Sequence, residues 1–249
     1  MSLVITEKDI AMFDELVKVQ DIKFYFRHCQ EIFPLWVELM NEDKINLIIE
    51  QAIVKGNENL FKFVDTIQLY LDIMIMLGEH FQSDVQYASF NDILTQTDSS
   101  ELNRAIQLSE HLNNYKEKVL GDDSTFFKEM IFVISISQLP VISEHNFTTD
   151  LIRFLKHIYP QKVSFIGEST YIELIEWGRE QAIIKYDFQS PEQQIVYILC
   201  IFVLGQHFDT DLTYHWFNWS NIAMQLKFNN YTLKELAKEL AKIIIKGVE

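Results

Sequence analysis

The chain has 249 residues, of which 48% are hydrophobic and 13% aromatic, so it can bury a sizeable core, and an intrinsically disordered chain is excluded. Lys and Arg total 21 and Asp and Glu total 36, which gives a formal net charge of -15 at pH 7. An acidic field of this size repels phosphate backbones and anionic membrane surfaces and attracts basic proteins. We therefore expect no nucleic-acid partner and no membrane partner, and we favour a basic protein. An acidic surface that serves only solubility is the alternative.

Neither a secretion signal nor a membrane span is expected. Acidic residues stand within the first ten positions, and no basic region leads into an apolar run there. The apolar stretch at residues 195 to 205 is shorter than the roughly 18 to 20 residues that cross a bilayer. Cys29 and Cys200 stand among apolar neighbours, which is typical of reduced core cysteines. These features predict a cytoplasmic protein.

The sequence predicts an all-α fold. Only seven Gly and four Pro punctuate the chain, and the long segments between them favour helices over the closely spaced turns of an all-β protein. Helix starts are predicted where a capping side chain stands three residues before an acid or amide. These pairs are Thr6 with Asp9, Asp98 with Glu101, Ser190 with Gln193, and Thr232 with Glu235.

Three further segments matter for the fold. Residues 58 to 77 and 190 to 204 are apolar nearly all round, which predicts a central buried helix in each half of the chain. Residues 130 to 142 are rich in β-branched side chains, which leaves a short strand as an alternative. We predict a helix there, because its counterpart near residue 10 has helical spacing.

A phrase of fifteen residues occurs twice. Residues 77 to 91 and 204 to 218, aligned at one constant offset, share Leu, Gly, His, Phe, Asp, Tyr, Phe and Asn, which is eight identities in fifteen positions. The similarity continues upstream, where EQAIVK at residues 50 to 55 returns as EQAIIK. Self-similarity at a fixed offset indicates a repeat architecture. We predict two tandem helical-bundle repeats, residues 1 to 121 and 122 to 249, packed into one compact protein.

The repeated phrase has the composition of a helix-loop-helix corner. A glycine after an apolar helix supplies a left-handed residue without steric penalty, and a Phe three positions later folds back as an apolar anchor. An Asp then caps the following helix. We predict these roles for Gly78, Phe81 and Asp84 in the first copy and for Gly205, Phe208 and Asp211 in the second.

No catalytic residue, metal or cofactor is predicted. Histidine and aspartate in both copies are residue types that bind metals or move protons, but no HExxH or paired CxxC spacing accompanies them. A glycine-rich phosphate loop and a GxSxG motif are also absent from the sequence. We interpret His80 and His207 as corner histidines bonded to a carbonyl or carboxylate. A metal-binding or proton-transfer role for them is the open alternative.

The second copy of the phrase carries more aromatic side chains than the first. Four rings stand within residues 214 to 219, more than one helix face can bury, so we expect some of them to be partly exposed. Exposed Trp and Tyr are favoured anchors of protein interfaces. The first copy has Ser89 in place of Trp216 and Asp92 in place of Trp219. The predicted partner-binding residues are Asp209, Tyr214, Trp216 and Trp219, with plain core packing of the rings as the alternative.

The phrase LGxHFxxDxxYxxF, preceded by EQAIxK, resembles a family of small helical bacterial proteins encoded beside type VI secretion and other polymorphic-toxin genes. The family pattern places Gly, Phe, Asp and Tyr at this spacing, with a proline after both the Asp and the Tyr. This chain has Val85 and Leu212 after the Asp, and Ala88 and His215 after the Tyr. The resemblance carries no catalytic residues. It implies an immunity protein that neutralises a cognate toxin by binding it, or else an adaptor for a type VI secretion effector.

Overall fold

The computed structural model describes residues 7–228 and 232–245, and within these ranges it contains helices and turns but no strand. The all-α prediction is therefore confirmed for the part of the chain described. The helices of the first half-chain, up to residue 121, are α1 (Glu7–Ile32), α2 (Pro34–Leu39), α3 (Glu42–Glu58), α4 (Val64–Leu77), α5 (Ala88–Leu94) and α6 (Glu101–Tyr115). The helices of the second half-chain are α7 (Thr125–Ile136), α8 (Phe147–Ile158), α9 (Pro160–Ile166), α10 (Glu168–Tyr186), α11 (Pro191–Leu204), α12 (Trp219–Lys227) and α13 (Leu233–Ile245).

The cap predicted for α11 is confirmed. Ser190 Oγ accepts a hydrogen bond from the Gln193 N–H at 3.3 Å, and the Gln193 side chain accepts from the Ser190 N–H at 3.2 Å. Thr232 and Glu235 are joined in a similar way before α13, where the Thr232 N–H donates to Glu235 Oε2 at 2.7 Å. The start predicted at Thr6 lies outside the described residues.

The start predicted at Asp98 is wrong. Helix α6 begins at Glu101, and the side chain of Ser100 caps it by accepting from the Asn103 N–H. Glu101 has a different role, because its carboxylate accepts from the Lys62 N–H in the turn before α4. The Glu101 side chain, which the local pattern assigned to a capping box, therefore bonds instead to a backbone group from a distant part of the sequence.

The predicted helix at residues 130 to 142 is right only for its first part. Helix α7 ends at Ile136, and the residues after it are not helical. Pro140 accounts for this end, because its ring excludes the helical conformation from the residue before it and removes a backbone donor. Residues 58 to 77 likewise contain a break, since α4 begins only at Val64.

Helices α4 and α11 position the repeated phrase, because each ends where one copy begins. Every side chain of α11 from Gln194 to Leu204 is buried, as the sequence predicted. Helix α3 packs on α4 and α10 on α11, while α13 packs on α7. Buried side chains from both half-chains form one continuous core across residue 121, and the boundary at that residue stays a prediction. No helix in the described ranges is long and apolar enough to span a membrane.

Candidate functional site

The two copies of the repeated phrase are in contact with each other. Gly78 ends α4 with a φ of 96°, and Gly205 ends α11 with a φ of 106°. Their ψ values are extended, at 155° and 162°, so the predicted left-handed conformation is right in the sign of φ and wrong in ψ. The residue after each glycine donates its N–H to a carboxylate of the other copy.

The carboxylate of Asp84 joins its own copy to the other one. Oδ1 accepts from the Gln86 N–H at 2.8 Å and caps the short 3-10 turn that follows. Oδ2 accepts at 2.6 Å from the N–H of Gln206, the residue after Gly205. One side chain therefore satisfies backbone donors in both half-chains.

Asp211 makes the reciprocal contacts. Its Oδ1 accepts from the Thr213 N–H at 2.8 Å, and its Oδ2 accepts at 2.8 Å from the N–H of Glu79, the residue after Gly78. A Cβ atom built on Gly78 would lie 2.7 Å from Asp211 Oδ2. The glycine is thus needed for its positive φ and also for the close approach of a carboxylate from the other half-chain.

The two corner phenylalanines are buried anchors, as predicted. Phe81 is fully buried with its ring centroid 5.4 Å from that of Tyr70. Phe208 is buried with its centroid 5.5 Å from that of Tyr197. The two pairs occupy equivalent positions of the aligned half-chains.

A second pair of contacts crosses between the half-chains. Trp36, two residues after Pro34, donates from Nε1 to the Thr213 carbonyl at 3.0 Å. Lys162, two residues after Pro160, donates from Nζ to the Tyr87 hydroxyl at 3.2 Å. Pro34 and Pro160 begin α2 and α9, so each of these short helices places a side chain against the corner of the other half-chain.

Buried ionisable side chains are concentrated at these contacts between the half-chains. Lys162 is 1% exposed, and burial lowers its pKa to about 7, although nearby Asp84 acts in the opposite direction. Its Nζ also donates to the Phe202 carbonyl near the end of α11. Burial raises the pKa of Asp84, and it raises the pKa of Asp211 to about 6. The junction between the half-chains is thus sensitive to protonation.

His80 and His207 face each other, with ring centroids 5.1 Å apart. His80 Nε2 lies 3.2 Å from Glu79 Oε1, in line with the interpretation of a corner histidine bonded to a carboxylate. His207 instead packs its ring edge-on against Trp177, and burial and the neighbouring His80 lower its pKa. Among the side chains described, those of residues 19–228 and 232–243, no group of three or more His, Cys, Asp or Glu is arranged to hold a metal ion.

A thiol beside an imidazole can act as a nucleophile, but His28 and Cys29, which are neighbours on α1, do not form such a pair. His28 Nε2 lies 2.6 Å from Asp72 Oδ1 on α4, so the imidazole is held by a carboxylate. Cys29 is fully buried, and burial raises the pKa of its thiol to about 12. His28 therefore joins α1 to α4, and Cys29 is a buried core residue.

The expectation that the aromatic side chains of residues 214 to 219 are partly exposed is wrong. Tyr214 and Trp216 are each 8% exposed and Trp219 is 5% exposed. The rings are not confined to one helix face, because the chain here passes through a 3-10 turn and a bend before α12 begins. They point in several directions, and Trp219 packs against the rings of Tyr186 and Phe208 at 5.4 and 5.0 Å.

The side chain of Asp209 is also buried. It is 1% exposed, and Oδ2 accepts from Lys185 Nζ at 3.1 Å and from the Tyr186 hydroxyl at 2.7 Å. Both donors lie on α10, so the carboxylate fastens the second corner to that helix. The side chains of the four predicted partner-binding residues are therefore buried, and that of Tyr214 lies against Gly78 of the first half-chain.

The structure instead places exposed apolar side chains between α3, α4 and α6, which we name the α3–α4 patch. Glu101 Oε1 accepts from the N–H groups of Lys62 and Phe63 at 2.7 and 3.0 Å, which holds the start of α6 against the turn before α4. The members of the patch are 48% to 65% exposed. They are Leu60, Phe63, Val64, Leu102 and Ile106.

The sequence carries no clear signal for this patch. Leu60, Phe61, Phe63 and Val64 have the i, i+1, i+3 and i+4 spacing of one apolar helix side, which a buried helix also shows. This spacing is part of the reason that residues 58 to 77 are predicted to form one buried helix. In the structure Leu60 has a φ of 60°, an uncommon value for a bulky residue, and the turn that it forms buries Phe61 and exposes the others.

Comparison with known proteins identifies no relative from which a role could be assigned to these residues. No protein-family model matches the chain, and no curated protein and no solved structure matches it at a significant level.

Proposed function

We propose that this protein acts by binding a basic protein partner, as an immunity protein that neutralises a cognate bacterial toxin without catalysing a reaction. The observation that carries the proposal is the α3–α4 patch, a group of exposed apolar side chains on a chain with a net charge of -15. Exposed apolar groups that are contiguous and rimmed by polar residues are typical of protein interaction sites. Phe63, at 65% exposure, is the largest apolar side chain in this patch.

The backbone beneath the patch is held in place. Arg104 is 4% exposed and donates from Nη1 to the Asn59 carbonyl at 2.8 Å and to the Leu94 carbonyl at 2.6 Å. Its guanidinium lies 4.9 Å from the centre of the Phe61 ring, beneath the turn. A surface that is already ordered loses less conformational entropy when it binds a partner, and this favours a binding role for the patch.

The charge of the protein supports a basic partner. Exposed acidic residues stand beside the patch in the sequence, with Glu58 before Leu60 and Asp65 after Val64. Opposite charges steer two proteins toward encounter and suppress binding of the wrong partner. A toxin that attacks nucleic acid needs a basic surface, so it is a partner class that this acidic protein suits.

The proposal also includes the tandem arrangement of two helical repeats. The reciprocal hydrogen bonds of Asp84 with Gln206 and of Asp211 with Glu79 support it, because equivalent residues of the two copies make equivalent contacts. In this arrangement the corners join the two repeats, and the outer surfaces remain free for the partner. The producing cell's cytoplasm is where we expect the encounter.

Co-expression with the product of each neighbouring gene tests the proposal. Growth rescue together with co-purification of the two proteins is the expected result for one neighbour. Binding without rescue would favour an adaptor for a secreted effector, and rescue without binding would favour an enzyme. Neither rescue nor binding with any neighbour would refute the proposal.

A further inference from the structure

A cleft of about 820 Å³ lies between the two half-chains and has no role in the function proposed above. Its walls on one side are the start of α5, the second half of α6 and the π-helical turn Lys116–Leu120 that follows α6. Helix α9 forms the other wall. Clefts of roughly 300 to 1,000 Å³ hold small organic ligands in many proteins. The cleft therefore has the size of a small-molecule site.

Ser89 and His111 form a hydrogen-bonded pair on one wall. Ser89 Oγ lies 2.7 Å from His111 Nε2. The imidazole is further fixed by ring contacts with Phe90, at 4.4 Å between centroids, and with Phe165 across the cleft, at 5.8 Å. The pair presents an oriented hydroxyl and an oriented imidazole next to an aromatic face.

The charge of the lining is unlike that of the rest of the protein. Acidic residues number 36 and basic residues 21 in the chain, yet no Asp or Glu occurs among the described residues that line the cleft. The titratable side chains that line it are His111 and Lys118. Lys118 also lies 3.2 Å from Glu117, but both are well exposed, and an exposed pair of this kind is weak. Burial lowers the pKa of His111, so at neutral pH Lys118 supplies the positive charge of the lining and His111 supplies a neutral imidazole. With no carboxylate among the described lining residues, the cleft suits a negatively charged ligand.

Several neutral polar groups in the cleft are available for hydrogen bonding. The side chains of Asn114, Gln161 and Ser164 line it, and within the described ranges none of the three forms a hydrogen bond to another protein group. Amide and hydroxyl groups of this kind can satisfy the oxygen atoms of a carboxylate or phosphate.

The equivalent position in the other half-chain carries a much larger side chain. Trp216 stands where the first copy has Ser89, and it lines a separate cavity of about 630 Å³ together with Trp36 and Tyr214. That cavity is lined largely by apolar side chains. The two copies thus differ at this aligned position. The cleft beside the first corner is lined by the small polar Ser89, and the cavity beside the second corner is lined by the large aromatic Trp216.

We propose that the cleft binds a small organic anion, a molecule with an aromatic or apolar body and one carboxylate or phosphate group. The body lies against Phe165, and the anionic group meets His111 and Lys118. The site is separate from the α3–α4 patch, which lies at the opposite end of α6, so the two proposals stand or fall independently.

Titration with benzoate, phenyl phosphate and uncharged benzamide, followed by NMR of the full-length protein, tests this site. We expect benzoate or phenyl phosphate, at concentrations up to about 10 mM, to shift the His111 imidazole resonances with at least about tenfold higher affinity than benzamide. A response to benzoate alone identifies carboxylates as the ligand class, and a response to phenyl phosphate alone identifies phosphate esters. No response to either anion, or equal affinity for benzamide, would overturn the proposal.

Two variants locate the binding. Lys118→Glu should weaken anion binding by about tenfold or more, whereas Lys23→Glu, an equal change of charge on exposed α1, should not. Ser89→Trp should abolish binding by filling the cleft, and because Ser89 is exposed this variant should keep the wild-type circular dichroism. Unchanged affinity in both cleft variants would place the anion elsewhere and contradict the proposal.

Discussion

Asp84 accepts a hydrogen bond at 2.6 Å from the backbone N–H of Gln206, a residue 122 positions further along the chain. Asp211 reciprocates by accepting at 2.8 Å from Glu79. Both carboxylates are buried, and each also caps the 3-10 turn of its own copy. The repeated phrase therefore acts as one joint made from two parts, and neither copy completes its hydrogen bonds alone.

Replacing Asp84 should destabilise both corners. Asp84→Ala leaves the N–H groups of Gln86 and Gln206 buried without an acceptor, and we expect it to lower the free energy of unfolding by about 2 to 4 kcal/mol. Urea denaturation followed by circular dichroism measures the change. Asp92→Ala, which removes an exposed carboxylate from α5, is the matched control and should change stability by less than about 0.5 kcal/mol. Equal stability of the two variants would mean that water replaces the carboxylate at the joint.

The corner glycines should be more sensitive to substitution than another glycine with similar backbone angles. Gly78 and Gly167 both have a positive φ, of 96° and 97°, but a Cβ on Gly167 would meet no atom within 4 Å. Gly167→Ala therefore adds backbone strain alone, which costs about 1 to 3 kcal/mol. Gly78→Ala adds the same strain and also places a methyl group 2.7 Å from Asp211 Oδ2, so it should lower the melting temperature further. Equal melting temperatures of the two variants would show that the close approach has no energetic importance.

The sequence predicted the local features of this joint well. Helical content, the buried helix α11, the cap at Ser190 and the positive φ of Gly78 each depend on nearby residues, and local patterns record such features. The partners of Asp84 and Asp211 could not be predicted, because a single sequence does not reveal which residues 122 or 132 positions apart meet.

The errors about exposure have the same origin. The number of rings in residues 214 to 219 does not reveal that α10 and α11 cover them, with Tyr186 and Tyr197 packed against Trp219. The turn at Leu60 was missed because no Gly or Pro marks it. The exposure of a side chain depends on which other segments of the chain cover it. The burial of the rings and the turn at Leu60 could therefore be found only from the three-dimensional structure.

Lys162 should give stability a distinctive pH dependence. Its pKa is about 7 in the folded protein, and a lysine in an unfolded chain has a pKa of about 10.4. Between these values the unfolded chain binds the extra proton, so the free energy of unfolding rises with pH, by up to about 1.4 kcal/mol per pH unit. Lys162→Met should lose this contribution. Urea denaturation of both proteins at pH 7, 8 and 9 measures it, and parallel pH profiles would contradict the assignment of a largely neutral amine above pH 7.

Association with the proposed basic partner should depend strongly on salt. The Debye length falls from about 30 Å at 0.01 M salt to about 8 Å at 0.15 M, so the attraction of a chain with charge -15 is screened over this range. Stopped-flow measurement with the partner found by co-expression should show an association rate that falls by about tenfold or more, with a smaller change in dissociation. A rate that is independent of salt would assign the acidic surface to solubility alone.

Neutralisation of a co-expressed toxin by a variant of the α3–α4 patch tests the central claim most directly. Phe63→Ser removes the most exposed ring of the patch, and serine is a favourable residue at this position because Phe63 is the N-cap of α4. Phe132→Ser removes a ring that is 62% exposed on α7 and serves as the control. We predict that the wild-type protein and Phe132→Ser restore growth of cells producing the toxin and that Phe63→Ser does not, although it folds equally well. Full restoration of growth by Phe63→Ser would contradict the account.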